Sequence, residues 1–317
     1  MATRKPILKR VFLFAKIVLS ASLLFFLVTQ LDTEIIRDLI LTADPVWFVL
    51  VFALYFAQIL AATKRWSHVI ESLRHHISFG TAFRLTMVGQ FFNQCLPSNI
   101  GGDAMRMYYL RNAGIDTPVA ISSVLLDRII GLVVLIVLAT VSLPFLANHI
   151  GQSIAFVGVA TLVGLCWGGV LILLFFDNPL TQRFRGHKVL GFLFGLSKSA
   201  REIVLHPGIA SRIFLSSLVI HLCSVGIAWA IDKSLAGETS FGLYLIAMVP
   251  TLLVVSIPVS IAGWGVREQA LVIILGGMGV TSAHAFSVSI LFGAVLIVGS
   301  IPGVIFWLRS GRRTAQD

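Results

Sequence analysis

Asp127 and Arg128 stand side by side about nine residues into one apolar run, and Asp103, Arg106, Arg267 and Glu268 follow closely on glycines in two other apolar stretches. An uncompensated charge at the centre of a bilayer costs at least about 2.5 to 3.5 kcal/mol on insertion scales. Such residues therefore face one another, a polar cavity or a charged ligand. Arginine presents a planar fork of donors that suits carboxylate and phosphate oxygens, and a helix start exposed by a glycine break offers backbone N–H groups to the same anions. The chemistry these residues predict is recognition of an anion within the membrane. Catalysis is not predicted, because no HExxH, GxSxG, Walker or CxxC pattern occurs and no pair of carboxylates has the spacing for acid–base work. Cys95, Cys166 and Cys223 lie in apolar surroundings without metal-ligand spacing, so no metal site, cofactor or disulfide framework is expected.

Adjacent helical side chains point about 100° apart, so Asp127 and Arg128 each need a separate partner. The segment containing Asp103 and Arg106 leads directly into their span, which makes Asp103 the natural partner of Arg128 and Arg106 that of Asp127. Such ion pairs either line a substrate site or brace the helices that carry them. Asn93, in a polar stretch just upstream, joins the candidate substrate-binding set of Asn93, Asp103, Arg106, Asp127, Arg128, Arg267 and Glu268. His221, in mid-span, is expected to bond a neighbouring carbonyl, with proton relay as its other reading.

The elements that must position these groups follow from hydropathy. With 57% apolar residues, 12% charged and a mean hydropathy of +0.94, the chain reads as an all-α polytopic membrane protein. Six full transmembrane helices are predicted, at residues 11–28, 46–63, 119–143, 154–176, 213–231 and 283–308. Two further stretches are too short or too polar to cross, and read as re-entrant helical hairpins at 82–112 and 241–279. Their breaks are marked by Pro97, Gly101 and Gly102 in the first and by Pro258, Gly263 and Gly265 in the second. The net charge of +10 is spread over loops, which points away from nucleic acid and towards topology. Of 24 lysines and arginines, 16 fall in the loops and termini on one side, so both termini are expected in the cytoplasm. The hairpins then enter from opposite sides, and residues 46–147 and 211–308 become inverted repeats within a single domain spanning 1–317. Residues 114–128 align without gaps on 279–293, with identities at Gly114/Gly279, Ala120/Ala285, Ser122/Ser287 and Leu126/Leu291. At the positions equivalent to Asp127 and Arg128 the second copy has Phe292 and Gly293, so the intramembrane charge is confined to one half. Residues 183–205 read as a cytoplasmic amphipathic helix on an anionic membrane surface.

Three strings in order, GQFFNQCLPSNIGGD at 89–103, VLLDR at 124–128 and GWGVRE at 263–268, resemble the lysylphosphatidylglycerol synthase transmembrane region, or flippase-like, family. Members that synthesise aminoacylated lipid carry a soluble carboxy-terminal domain that uses lysyl-tRNA. Nine residues follow Leu308 here, so the resemblance implies the membrane part alone and not aminoacyl transfer. It implies a lipid translocase of the cytoplasmic (inner) membrane that moves or presents an anionic phospholipid, a polyprenyl phosphate or a related lipid. The alternative is an accessory subunit that binds lipid for a separate glycosyl- or acyltransferase. Expected partners are membrane lipids, with a lipid-modifying enzyme and a second copy of the chain as further ones.

Overall fold

The computed structural model describes residues 33–95, 101–176 and 188–310, together with the helical positions Phe14, Val18 and Ser22. The rest of the predicted span at 11–28, the stretch at 96–100 with Pro97, and residues 183–187 lie outside the described residues. Every regular element among the described residues is an α-helix, as befits a chain whose backbone groups find no water in hydrocarbon. In order these are α1 (Thr33–Leu41), α2 (Val46–Ser72), α3 (Phe79–Cys95), α4 (Gly101–Asn112), α5 (Thr117–Ile150), α6 (Ile154–Phe175), α7 (Lys188–Leu205), α8 (Pro207–Ser234), α9 (Phe241–Ser256), α10 (Val266–Gly277), α11 (Ser282–Ser300) and α12 (Pro302–Ser310).

Five segments are long and apolar enough to cross a membrane: α2, α5, α6, α8, and α11 continued into α12. They coincide with five of the six predicted spans. Local sequence sets their starts. Ser153, Ser240 and Thr281 accept the N–H of Phe156, Leu243 and His284, capping α6, α9 and α11. Prolines open α5 and α8, where a missing N–H costs nothing. Ile301 ends α11 just before Pro302, so the last predicted span is two helices rather than one. Helices α3 and α4 have 17 and 12 residues, and α9 and α10 have 16 and 12. At 1.5 Å per residue each falls short of the ~30 Å hydrocarbon core.

At the centre α2 packs along α8 over the largest interface in the molecule. Trp47 meets Trp229 edge-on at 5.8 Å, and the absence of a side chain on Gly226 lets Leu54 close against α8. The first hairpin, α3 and α4, packs on α2, α11 and α12, while the second, α9 and α10, packs on α8, α5 and α11. By contrast α6 is apolar all round and buries only Val159 and Val163, the pattern of a helix facing lipid.

Two sequence expectations are corrected here. Helix α2 does not stop at Thr63 but runs to Ser72, so Lys64 and Arg65 are helical residues rather than part of a loop. Backbone hydrogen bonding continues through a charge that ends a hydropathy window. The apolar face of α7 meets protein and not a membrane surface: Leu196, Ala200 and Ile203 are buried against Val69, Leu126 and Ile213. Its polar side chains Ser197 and Arg201 donate to the carbonyls of Leu173 and Leu174 at the end of α6, where helical carbonyls lack partners.

Candidate functional site: an arginine-lined cavity

The first hairpin is closed by backbone contact. Helices α3 and α4 cross so tightly at Gly89 and Gly102 that a methyl group on Gly102 would collide with the Gly89 carbonyl oxygen. Asn93 Oδ1 accepts the Gly102 N–H at 3.0 Å, satisfying a donor that the start of α4 leaves without an intrahelical partner. One turn later Asp103 and Arg106 face inward, both buried, and meet Asp127 and Arg128 from the middle of α5.

The four charges pair crosswise, as their order in the sequence predicts. Arg128 Nε donates to Asp103 Oδ2 at 2.6 Å, and Arg106 Nη2 donates to Asp127 Oδ2 at 3.0 Å. Arg106 also reaches Asp103 Oδ1 at 3.5 Å and lies 4.0 Å over the ring of Trp66. A third arginine completes the network. Arg65, from the extension of α2, donates through Nε to Asp127 Oδ1 at 2.8 Å and through Nη1 to Ser217 Oγ on α8 at 3.3 Å. Gly131 makes room for it, since a Cβ there would come within 2.6 Å of Nη1.

These groups border a cavity of ≈ 200 Å³, to which α2 contributes Gln58, Ile59 and Ala62 and α3 contributes Thr86, Gly89, Gln90 and Asn93. Three arginines against two carboxylates leave one unit of positive charge. Three buried polar atoms on the lining, Gln58 Oε1, Thr86 Oγ1 and Arg106 Nε, have no protein partner among the described residues. Buried polar atoms without partners are costly and call for water or a ligand. Beside this cavity a second, of ≈ 440 Å³, shares Arg65, Arg128 and Ile220 and continues between Leu132 and Leu135 of α5 and Leu252 and Val255 of α9. The polar end is therefore contiguous with an apolar crevice.

Asn93, Asp103, Arg106, Asp127 and Arg128 thus share one site, and Arg267 and Glu268 do not line it. The expectation of a single cavity is corrected for these two. Glu268, fully buried, accepts the Gly265 N–H at 2.6 Å and both Arg267 Nε at 3.0 Å and Ser289 Oγ at 3.1 Å. Arg267 Nε also donates to Ser289 Oγ at 3.1 Å, and its guanidinium stacks 4.8 Å from the Trp264 ring. This cluster is closed upon itself. Gly263 and Gly265 hold φ of 82° and 81°, a left-handed conformation that turns the chain into α10, while Pro258 is exposed in the same connection. Gly101 and Gly102 open α4. His221 Nε2 lies 3.1 Å from the Gly131 carbonyl, the bonded arrangement expected for it.

Arg65 was missed by sequence reasoning, which placed it in a topology-reporting loop. Its signal is Gln58 and Arg65 at i and i+7, two polar residues on one face of the helix. A second cluster was also missed: Asp232, Tyr244 and His284, from α8, α9 and α11, meet at the other end of the bundle.

Residues 13–303 match the family described as the lysylphosphatidylglycerol synthase TM region. The chain belongs to this family. Among curated proteins it is 30% identical over 118 residues to a UPF0104 membrane protein of Methanocaldococcus jannaschii, a match spanning 36% of this chain and 35% of that one. The chain thus aligns with about a third of the relative's length. No solved structure matches it. Membership in the lysylphosphatidylglycerol synthase TM region family agrees with a helical membrane protein whose matched stretch contains both the arginine cavity and the Arg267–Glu268 cluster.

Proposed function

We propose that the cavity of Arg65, Arg106 and Arg128 holds the phosphate of a membrane lipid, and that the protein moves or presents that lipid across the membrane without itself catalysing a reaction. The observation that carries this reading is the unbalanced network. Asp103 and Asp127 fix three guanidinium groups in place, one positive charge remains, and Arg106 Nε, Thr86 Oγ1 and Gln58 Oε1 are unpartnered on a polar cavity that continues into an apolar crevice. A phosphate oxygen accepts from Arg106 Nε, while an acyl or prenyl chain lies along Leu132, Leu135, Leu252 and Val255.

Helix bounds support the accompanying architecture, a single domain of two inverted repeats with re-entrant hairpins. Val46 and Pro207, which open α2 and α8, stand 161 residues apart. Thr117 and Ser282, which open α5 and α11, stand 165 apart, as do Asn112 and Gly277, which end α4 and α10. Gly114 and Gly279 each hold φ at 91°. The shift from 161 to 165 falls across the hairpin break, where the second copy has a longer connection. Two copies related in this way, with hairpins near mid-membrane, suit alternating exposure of one site. The charge bias of the loops supports cytoplasmic termini under this scheme.

The test is movement of a fluorescent anionic phospholipid between leaflets of proteoliposomes. Wild-type protein is expected to accelerate it, and Arg106→Ala and Asp127→Asn to slow it at least about tenfold, the loss that 1.4 kcal/mol of headgroup binding would cause. Equal rates in wild type and variants would sink the reading. Headgroup binding that depends on Arg106 without any movement would instead favour presentation of the lipid to a separate lipid-modifying enzyme.

A further inference from the structure

Asp232 is wholly buried in the last turn of α8, where both desolvation and the negative end of the helix dipole oppose a carboxylate. Three titratable side chains meet it among the described residues. From α9, Tyr244 OH donates to Oδ1 at 3.1 Å, and from α11, His284 Nε2 lies 2.8 Å from the same oxygen. From α8 itself, the Lys233 ammonium stands 3.7 Å from Oδ2 but donates its hydrogen bond, at 2.8 Å, to the Gly237 carbonyl. Asp44, preceding α2, touches this end of α8 through its backbone N–H on the Ser234 carbonyl at 2.7 Å. Oδ2 has no hydrogen-bond partner among the described residues. Gly237 folds directly over the carboxylate, where any side chain would collide with it.

We propose that Asp232, His284 and Tyr244 form a proton-binding site, linked through α8 and α11 to anion binding in the arginine cavity. With Nε2 turned to Asp232, a proton arriving from solvent enters at Nδ1 of the partly exposed histidine and converts a neutral donor into an imidazolium facing the carboxylate. Histidine is the side chain whose unperturbed charge change falls between about pH 5 and 8. The pair joins α8, which reaches the cavity, to α11, which packs on a helix that lines it. Helix α8 carries Ser217 to Arg65 and Ile220 to the cavity wall, and α11 packs on α3, which supplies Thr86, Gln90 and Asn93. Strengthening the Asp232–His284 contact therefore biases the packing of both walls, and by reciprocity anion binding biases the proton. The linkage rests on the cavity being an anion site; the proton site does not.

Nitrogen-15 histidine NMR of the full chain in nanodiscs, taken from about pH 5 to 8, tests the first half. One resonance, absent in His284→Gln, should titrate in this window, and its midpoint should move in Asp232→Asn and, by less, in Tyr244→Phe. The second half is tested with a short-chain fluorescent phosphatidylglycerol. Wild-type affinity should change about fivefold or more across that titration, the lower end of typical allosteric coupling, and the change should vanish in His284→Gln. A His284 resonance that does not titrate, or is indifferent to Asp232→Asn, overturns the proton site. Titration with constant probe affinity overturns the linkage. Should the probe fail to bind wild-type protein at every pH, the anion reading falls and the linkage with it, while the histidine titration still decides the proton site.

Discussion

Each carboxylate in the cavity is held by two arginines, and that redundancy governs how single substitutions behave. Removing Arg106 leaves Asp127 with Arg65 and Asp103 with Arg128, so the loss is expected to be about 3 kcal/mol, the lower end for breaking a buried pair. Thermal unfolding in detergent would measure it. A double-mutant cycle between Asp103→Asn and Arg128→Gln should show about 0.5 kcal/mol or more of coupling. The same cycle between Asp103→Asn and Glu268→Gln should be additive, because the two carboxylates belong to separate networks. Coupling of similar size in both cycles would contradict the two-cluster description. At this scale the sequence was informative where charges stood alone in apolar surroundings: Asp127, Arg128 and their crosswise partners follow from the cost of an unpaired charge in hydrocarbon. Arg65 escaped because it sits beside Lys64 at a hydropathy boundary, where a basic residue reads as a loop. Asp232 and His284 escaped because they are 52 positions apart, and neither interrupts a long apolar run.

The elements depend on where glycine is indispensable. Helices α3 and α4 touch through the Gly102 Cα and the Gly89 carbonyl, so Gly102→Ala must force the hairpin apart and displace Arg106. Gly80 lies on the same α3 with open space around it, and an added methyl there relieves about 0.8 to 1 kcal/mol of helix penalty. Gly102→Ala is thus expected to lower both folded yield and phospholipid binding, while Gly80→Ala leaves binding intact and raises the melting temperature slightly. Size-exclusion profiles and melting curves of the two variants check this. Five spans were legible from the lengths of apolar runs. The extension of α2 and the docking of α7 were not, since hydropathy reports what a segment avoids and not which neighbour covers it. Leu196, Ala200 and Ile203 form an amphipathic stripe that would suit lipid or protein equally, and tertiary packing chose protein.

At the scale of the whole molecule, the proposed duplication rests on four identities in fifteen aligned residues and on helix bounds that keep a constant separation on each side of the break. Labelling of single cysteines introduced at Arg74 and Ala236, which end α2 and α8 respectively, should show them on opposite faces of the membrane; labelling from one face would undo the inverted arrangement. Two identical inverted copies would make the inward-open and outward-open forms equivalent by a two-fold rotation and equal in energy, each populated half the time. This chain is not built that way. The second copy closes Glu268 and Arg267 against each other and Ser289, whereas the first leaves Arg106, Thr86 and Gln58 with open valences. Exchanging the roles of the halves therefore changes what must be solvated, and a difference of only 1.4 kcal/mol sets a tenfold ratio between the two forms. On the proposed transport reading, the unliganded protein should rest with one orientation in excess, and the bound lipid would supply the free energy that levels the balance.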